Sequence, residues 1–206
     1  VIVVSVGTER TESALRDCLA LGVDDAYLLT DPSFAGSDPQ GVARILAAGL
    51  KKLGQFELVL AGKQAIDSDS AQVPAAVAAH LDLPQAMFVK KVESYEGGKA
   101  RVHRSTEDGY DIVELTLPAV VSVVKEINEP RLPSLKGKMA AKKKEIVKWS
   151  ASDLGMSGEG VGSQSKTKTI SVVPPPPRSK GEIITGDSPE DIANKLFEKL
   201  RQNQVI

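Results

Sequence analysis

Along the first third of the chain, short unbroken apolar runs alternate with longer stretches whose apolar residues return every three or four positions. Residues 1–6 are a β-branched run closed by Gly7, which predicts a fully buried parallel strand. From Thr11 onward Ala14, Leu15, Cys18, Leu19 and Leu21 follow the helical period until Gly22 stops it. Residues 25–29 (DAYLL) read as a second strand, and a Pro/Gly/Ser loop fills 31–38. A second amphipathic helix is predicted over 39–53, with Val42, Ile45, Leu46 and Leu50 on one face and Gly54 at its end. Residues 57–61 (ELVLA) make a third buried strand, and 71–80 a third helix capped by Asp69 or Ser70. This alternation predicts an α/β fold with a mainly parallel sheet and flanking helices.

After residue 85 the pattern changes. Residues 86–92, 99–105, 112–117 and 119–125 read as strands joined by tight turns, with Glu96-Gly97-Gly98 and Asp108-Gly109 as hairpin signals. These antiparallel hairpins extend or flank the parallel sheet. Beyond Trp149 order is expected to decline: 155–168 is rich in Gly and Ser, and 174–177 is a polyproline run that cannot join a sheet. A last helix opens at Ser188-Pro189-Glu190-Asp191, with acids in its first turn and a stripe of Ile192, Leu196 and Leu200 beside Phe197. That stripe needs a surface, on its own body or on another chain. The expected division is an α/β domain over 1–148 and an extended C-terminal arm with its helix over 149–206. A β-branched run without a lead-in also predicts further sequence upstream of Val1, or a processed or engineered start.

A formal net charge of −1 offers no global attraction to nucleic acid or membrane, yet it hides a local imbalance. Lys136, Lys138, Lys142, Lys143, Lys144 and Lys148 form a basic block, whereas Asp24, Asp25, Asp31 and Asp38 make the early region acidic. Aromatic residues at 4% leave that block without the stacking platforms of a nucleic-acid groove, so no nucleic-acid partner is expected and lysines steering an acidic protein fit at least as well. The one cysteine, Cys18, excludes an internal disulfide and is expected as a buried thiol in a reducing compartment. No apolar run reaches membrane-spanning length, so direct membrane insertion is not expected.

Two segments stand out as candidate sites. AGKQAIDSDSAQV, residues 61–73, follows a predicted strand and precedes a predicted helix, where open α/β sheets bind ligands. Gly62 permits close backbone approach, and the amides from Ser70 through Ala71 and Gln72 to Val73 would be free donors suited to a phosphate. Asp67 and Asp69 weigh against a phosphate unless they face a sugar or base, and the GxxxxGK[ST] pattern is absent. A capped helix start with no ligand is the plain alternative. Histidine occurs only as His80 and His103, each read as a surface or packing residue, so neither a metal site nor an activated nucleophile is expected.

The second segment is KEINEPRLPSLKGKMAAKKK, residues 125–144. A turn at Asn128-Glu129-Pro130-Arg131 leads to Leu132, Leu135 and Met139, three and four apart among cations, as in a segment that meets a partner. A solvated basic loop with one incidental leucine accounts for the same residues equally well.

With these two segments, SVG at Ser5-Val6-Gly7 and LPAVVSV at 117–123, essentially the whole chain resembles the β subunit of electron-transfer flavoprotein. The resemblance implies an adenine-nucleotide α-hydrolase-like fold, a heterodimer with an α subunit that holds most of a redox FAD, and a structural AMP in the β subunit. It implies an electron carrier and no enzyme, serving flavin dehydrogenases of the acyl-CoA dehydrogenase type in fatty acid oxidation and delivering to a membrane quinone oxidoreductase. In the electron-bifurcating branch a second FAD takes the AMP place and NADH is oxidised. A nucleotide-sensing domain without a redox role is the further alternative.

Carried over by position, the nucleotide contacts fall on Val6, Gly62, Lys63, Gln64, Ala65, Ile66, Asp67, Ser68, Asp69, Ser70, Ala71, Gln72 and Val73. The partner-recognition loop falls on 123–145, through Glu129, Pro130, Arg131, Leu132, Leu135, Lys138, Met139, Lys142 and Lys143. Leu135 matches the family's anchoring leucine, with the lysines as its rim. The family segment that precedes Val1 and supplies a first strand and further nucleotide contacts is not in this sequence, and Ser68, Ser70 and Val73 leave AMP against FAD open. The implied location is the cytoplasm in a bacterium or the mitochondrial matrix in a eukaryote, and the C-terminal arm is implied to pack on the partner subunit.

Overall fold

Strand–helix alternation governs the first half of the chain: β1 (Ile2–Val6), α1 (Glu12–Ala20), β2 (Asp25–Leu29), α2 (Pro39–Leu53), β3 (Leu58–Gly62) and α3 (Val73–Leu81) follow in order. Then come β4 (Gln85–Glu96), β5 (Lys99–Ser105), β6 (Tyr110–Thr116), β7 (Ala119–Val123), α4 (Leu135–Lys143), β8 (Ile146–Trp149) and α5 (Pro189–Gln202). The computed structural model describes residues 1–178 and 180–206. They fall into two units, Val1–Lys168 and Thr169–Ile206.

The first unit holds two sheets. β1-β2-β8 is wholly parallel, and β3-β7-β4-β5-β6 is parallel through β3-β7-β4 and antiparallel from β4 to β6. Gly97 and Gly98, both at positive φ, make the two-residue turn between β4 and β5 that the sequence predicts. β7 departs from expectation. It does not continue the meander but inserts between β3 and β4, parallel to both, so its side chains Val120 and Val121 are fully enclosed.

Each face of the small sheet has its own cover. Ala26, Leu28 and Ile146 pack against Leu15, Leu19 and Ala20 of α1 and Ala141 of α4. Leu29 packs with Ile45 of α2, Phe34 and Val161. α2 buries two sides at once: Ile45 meets the sheet, while Ala43 joins Ala76 and Val77 of α3, with Leu46 and Leu50 partly buried beside them. The single face of Val42, Ile45, Leu46 and Leu50 was thus too narrow, because small residues carry much of the packing. A side chain at Gly49 would lie 2.7 Å from Leu29 Cδ1, so any larger residue there would have to displace that buried leucine.

Several expectations need correction. β1 and β3 are edge strands, half-buried instead of fully buried; Leu60 of β3 is 62% exposed because its apolar run lies at the border of the five-stranded sheet. Cys18 is half-buried, not buried, and Ala14 is exposed. Nor does order decline after Trp149. Val161 is fully enclosed with Leu29, Phe34 and Ile45, Ser165 is buried, and Thr167 donates to Asp38 through its amide (3.1 Å) and hydroxyl (3.0 Å). Glycines at positive φ allow that return: Gly162 sits where a side chain would collide with Ser33 O. Residues 149–168, expected with the arm, therefore fold with the first unit.

In the second unit α5 starts as predicted, with Pro189 in its first turn and the Ser188 hydroxyl accepting from the Asp191 amide at 3.2 Å. Lys195–Asp191 and Lys199–Glu182 pairs, both at 2.7 Å, tie it together, and Ile192, Leu196 and Phe197 are exposed.

Candidate functional site

The 61–73 segment lies at the carboxyl ends of parallel strands. Gly62 ends β3 directly opposite Val123, the end of β7, so two strands finish together where the chain turns into the loop. The adjacent β4 is bulged at this level: Phe88 has a φ of 63°, and its amide donates to the buried Ser122 hydroxyl at 2.9 Å. Lys63 Nζ stands 5.7 Å from the Phe88 ring centroid. Phe88 and Ser122 went unnoticed in the sequence, where nothing distinguishes a bulged strand from a regular one.

Within the loop the Gln64 side-chain amide donates to the Asp69 carboxylate, and the Asp69 amide donates to Ala65 O at 2.9 Å. Asp69 and Ala71 both take left-handed backbone, at φ of 51° and 52°. These turns keep Asp69 and Ser70 from capping the helix, contrary to expectation. α3 starts two residues later, with Gln72 at the cap position making no side-chain bond and Pro74 setting the first turn. Among the described residues, the amides of Ser70, Ala71, Gln72 and Val73 have no acceptor. Lys63, Ala65, Ile66, Asp67 and Ser68 are exposed, so the loop stands open. Val6, at the end of β1, packs its side chain with Leu29, Phe34 and Ile45. Four amides free of partners beside a helix start fit a phosphate, with the carboxylates of Asp67 and Asp69 in the same loop opposing one.

The 123–145 segment joins the two sheets, from the end of β7 to the start of β8. Leu135, expected in a loop, is the first residue of α4, whose N-cap Ser134 accepts from the Gly137 amide at 3.0 Å. Glycine near the N-cap and lysines throughout hid that helix. Leu132, Leu135 and Met139 are 91%, 78% and 60% exposed, whereas Ala141 on the opposite side is buried against α1. Of the lysines, Lys144 pairs with Asp25 (3.2 Å) and Lys148 with Glu12 (2.7 Å) and Glu9 (3.2 Å). The Lys148 contact holds the Glu12 carboxyl below its ordinary range and raises the Lys148 ammonium. Lys138, Lys142 and Lys143 have no acidic partner among the described residues and are exposed. Glu129, Pro130 and Arg131 are exposed as well, and the Arg131 guanidinium donates to Leu21 O.

The histidines form no catalytic pair. His103 Nε2 lies 3.0 Å from Glu93 and its ring stacks on Tyr110 at 4.9 Å, and His80 sits in the last turn of α3. No cluster of three metal-ligating side chains and no helix long and apolar enough to cross a membrane occurs among the described residues.

A profile of the electron transfer flavoprotein domain matches residues 1–154. Over its whole length the chain is 43% identical to the electron transfer flavoprotein subunit beta of Thermoanaerobacterium thermosaccharolyticum and 38% identical to that of Mycobacterium tuberculosis, covering 79% and 77% of those proteins. It is 42% identical to the caffeyl-CoA reductase-Etf complex subunit CarD of Acetobacterium woodii, covering 79% of it. The chain belongs to the electron transfer flavoprotein family, as a β subunit. Its general role is therefore electron shuttling, as a carrier subunit and not as a catalyst.

Proposed function

We propose that this β subunit holds an AMP phosphate on the amides of Ser70, Ala71, Gln72 and Val73, with Gly62 and residues 63–69 enclosing the adenosine. The four donors without acceptors at the start of α3, beyond the loop that leaves β3, carry this reading. An FAD held mainly by an α subunit supplies the redox chemistry when bound. The exposed α4 segment then serves as the docking surface for a flavin dehydrogenase of the acyl-CoA dehydrogenase type, with Leu135 as anchor, Leu132 and Met139 beside it, and Lys138, Lys142 and Lys143 steering acidic partners. A membrane quinone oxidoreductase would receive the electrons. The cytoplasm of a bacterium suits this role.

The test is to purify the natural heterodimer and identify its released nucleotides by mass and absorbance. One FAD and one AMP per heterodimer are expected. A heterodimer without flavin defeats the carrier reading. The second reading is a bifurcating carrier with two FAD per heterodimer and NADH as donor; likeness to a subunit of a reductase-Etf complex is the observation that favours it.

A further inference from the structure

We propose that α4 is held in one pose by a reciprocal pair of arginine caps, making Arg131 and Arg16 positioning residues for dehydrogenase recognition. The inference rests on the docking role proposed above for the same segment. A helix leaves its last carbonyls without intrahelical donors, and its C-terminal end carries partial negative charge. At the end of α1 the Arg131 guanidinium, from the turn before α4, donates to Leu21 O. At the end of α4, Arg16 of α1 donates through Nη1 to Ala141 O at 2.7 Å and to Lys144 O at 3.0 Å. The last turn of α1 contains no basic residue of its own, so Arg131 supplies its cation, while Arg16 adds to Lys142 and Lys143 at the end of α4.

Between these two caps the helices lie nearly backbone to backbone. A Cβ at Gly137 would be 2.4 Å from Ala20 O, so the contact tolerates no side chain there. Ala141 is buried against Leu15, Leu19 and Ala20, and Lys144 pairs with Asp25 at 3.2 Å. With one side of α4 fixed this tightly, Leu135 and Met139, an i,i+4 pair, are forced to the outside. A slip of one residue would turn the helix by about 100° and carry the leucine off that face. The Arg131 guanidinium, exposed beside Leu132, is anchored on α1 through Leu21 O.

The test uses the flavin-loaded heterodimer as acceptor for an acyl-CoA dehydrogenase supplied with its acyl-CoA, comparing Arg131→Gln, Arg131→Lys and Leu135→Ala. Arg131→Gln is expected to raise the KM for the heterodimer about five- to tenfold with kcat within about twofold. Flavin content should be unchanged, and deuterium exchange at amides 138–143 should be faster. Arg131→Lys, which keeps a cationic donor for Leu21 O, should recover most of both effects. A raised KM without faster exchange would mean that Arg131 touches the partner directly, which overturns the clamp. If Leu135→Ala raises KM and Arg131→Gln does not, the clamp fails while the docking reading stands. If Leu135→Ala has no effect, the docking reading itself fails and takes the clamp with it.

Discussion

Replacing Asp38 with alanine removes the group that connects the start of α2 to the return segment after β8. Its Oδ1 accepts from the Gly41 amide at 2.8 Å, its Oδ2 accepts from the Thr167 amide and hydroxyl, and its own amide donates to Ser165 Oγ at 3.0 Å. Loss of the helix cap costs about 1 kcal/mol. The two bonds to Thr167 are charge-assisted but lie at an exposed residue, so we assign them a further 1 to 2 kcal/mol, roughly. Asp38→Ala is therefore expected to lower unfolding stability by about 2–3 kcal/mol at pH 7 in urea denaturation. Asp38→Asn keeps the cap oxygen but turns an amide nitrogen toward donors, and should fall between. The Gly41 amide, followed by the Thr167 bonds, holds the Asp38 carboxyl below its ordinary value, against the opposing effect of burial. The folded pKa lies below the unfolded one, so the stabilisation is complete above about pH 4 and disappears as pH falls through the folded value. The gap between wild type and Asp38→Ala should narrow on acidification. A gap below about 0.5 kcal/mol at pH 7, or one that stays constant from pH 7 to pH 3, would refute the reasoning.

Leu135→Ala should weaken dehydrogenase coupling by about 2 kcal/mol, roughly a thirtyfold rise in KM, while a melting curve shows no loss of stability because the side chain is already 78% exposed. Charge reversal at Lys142 and Lys143 should slow association and flatten its dependence on ionic strength, measured by stopped flow at rising salt. Gln64→Ala removes the side chain that ties Asp69 to the start of the loop, so nucleotide should dissociate faster on gel filtration with little change in unfolding midpoint. Val161→Ala should cost about 2 kcal/mol of stability although it lies in a Gly/Ser-rich stretch; a neutral result would show that the segment is not part of the core.

Where sequence reading succeeded, the signal was local. Asp25–Leu29 and Pro39–Leu53 match element for element because a strand bounded by acid and loop, and a helix bounded by Asp-Pro and Gly, carry their own boundaries. The failures arose where partners distant in sequence decide. The β-branched run of β1 says nothing about whether a neighbour covers both of its edges, and residues 119–123 look alike as a meander strand or as one inserted between β3 and β4. β8 is four residues long with a lysine inside, and only its parallel pairing with β2 makes it a strand. The order of strand, glycine and helix around 61–73 was legible because each carries a local signal. The helix cap was misplaced because the left-handed turns at Asp69 and Ala71 have no glycine to announce them.

Under the proposed function, the topology also explains how one chain would serve two kinds of contact. The candidate nucleotide loop leaves β3, and β7 ends beside it; the chain then runs from β7 through α4 to β8 in the other sheet. α4 is therefore the covalent bridge between the sheet that carries the candidate nucleotide loop and the sheet packed against α1 and α2. Its exposed apolar residues cannot be satisfied by the chain's own core, because Gly137 and Ala141 already commit the opposite side to α1. A carrier needs a surface that is unsatisfied alone yet fixed in shape, since ordering a mobile segment on every encounter would cost affinity and slow exchange. Helical structure beneath Leu135, capped by Ser134 at its start and by Arg16 at its end, meets that requirement where a solvated basic loop would not.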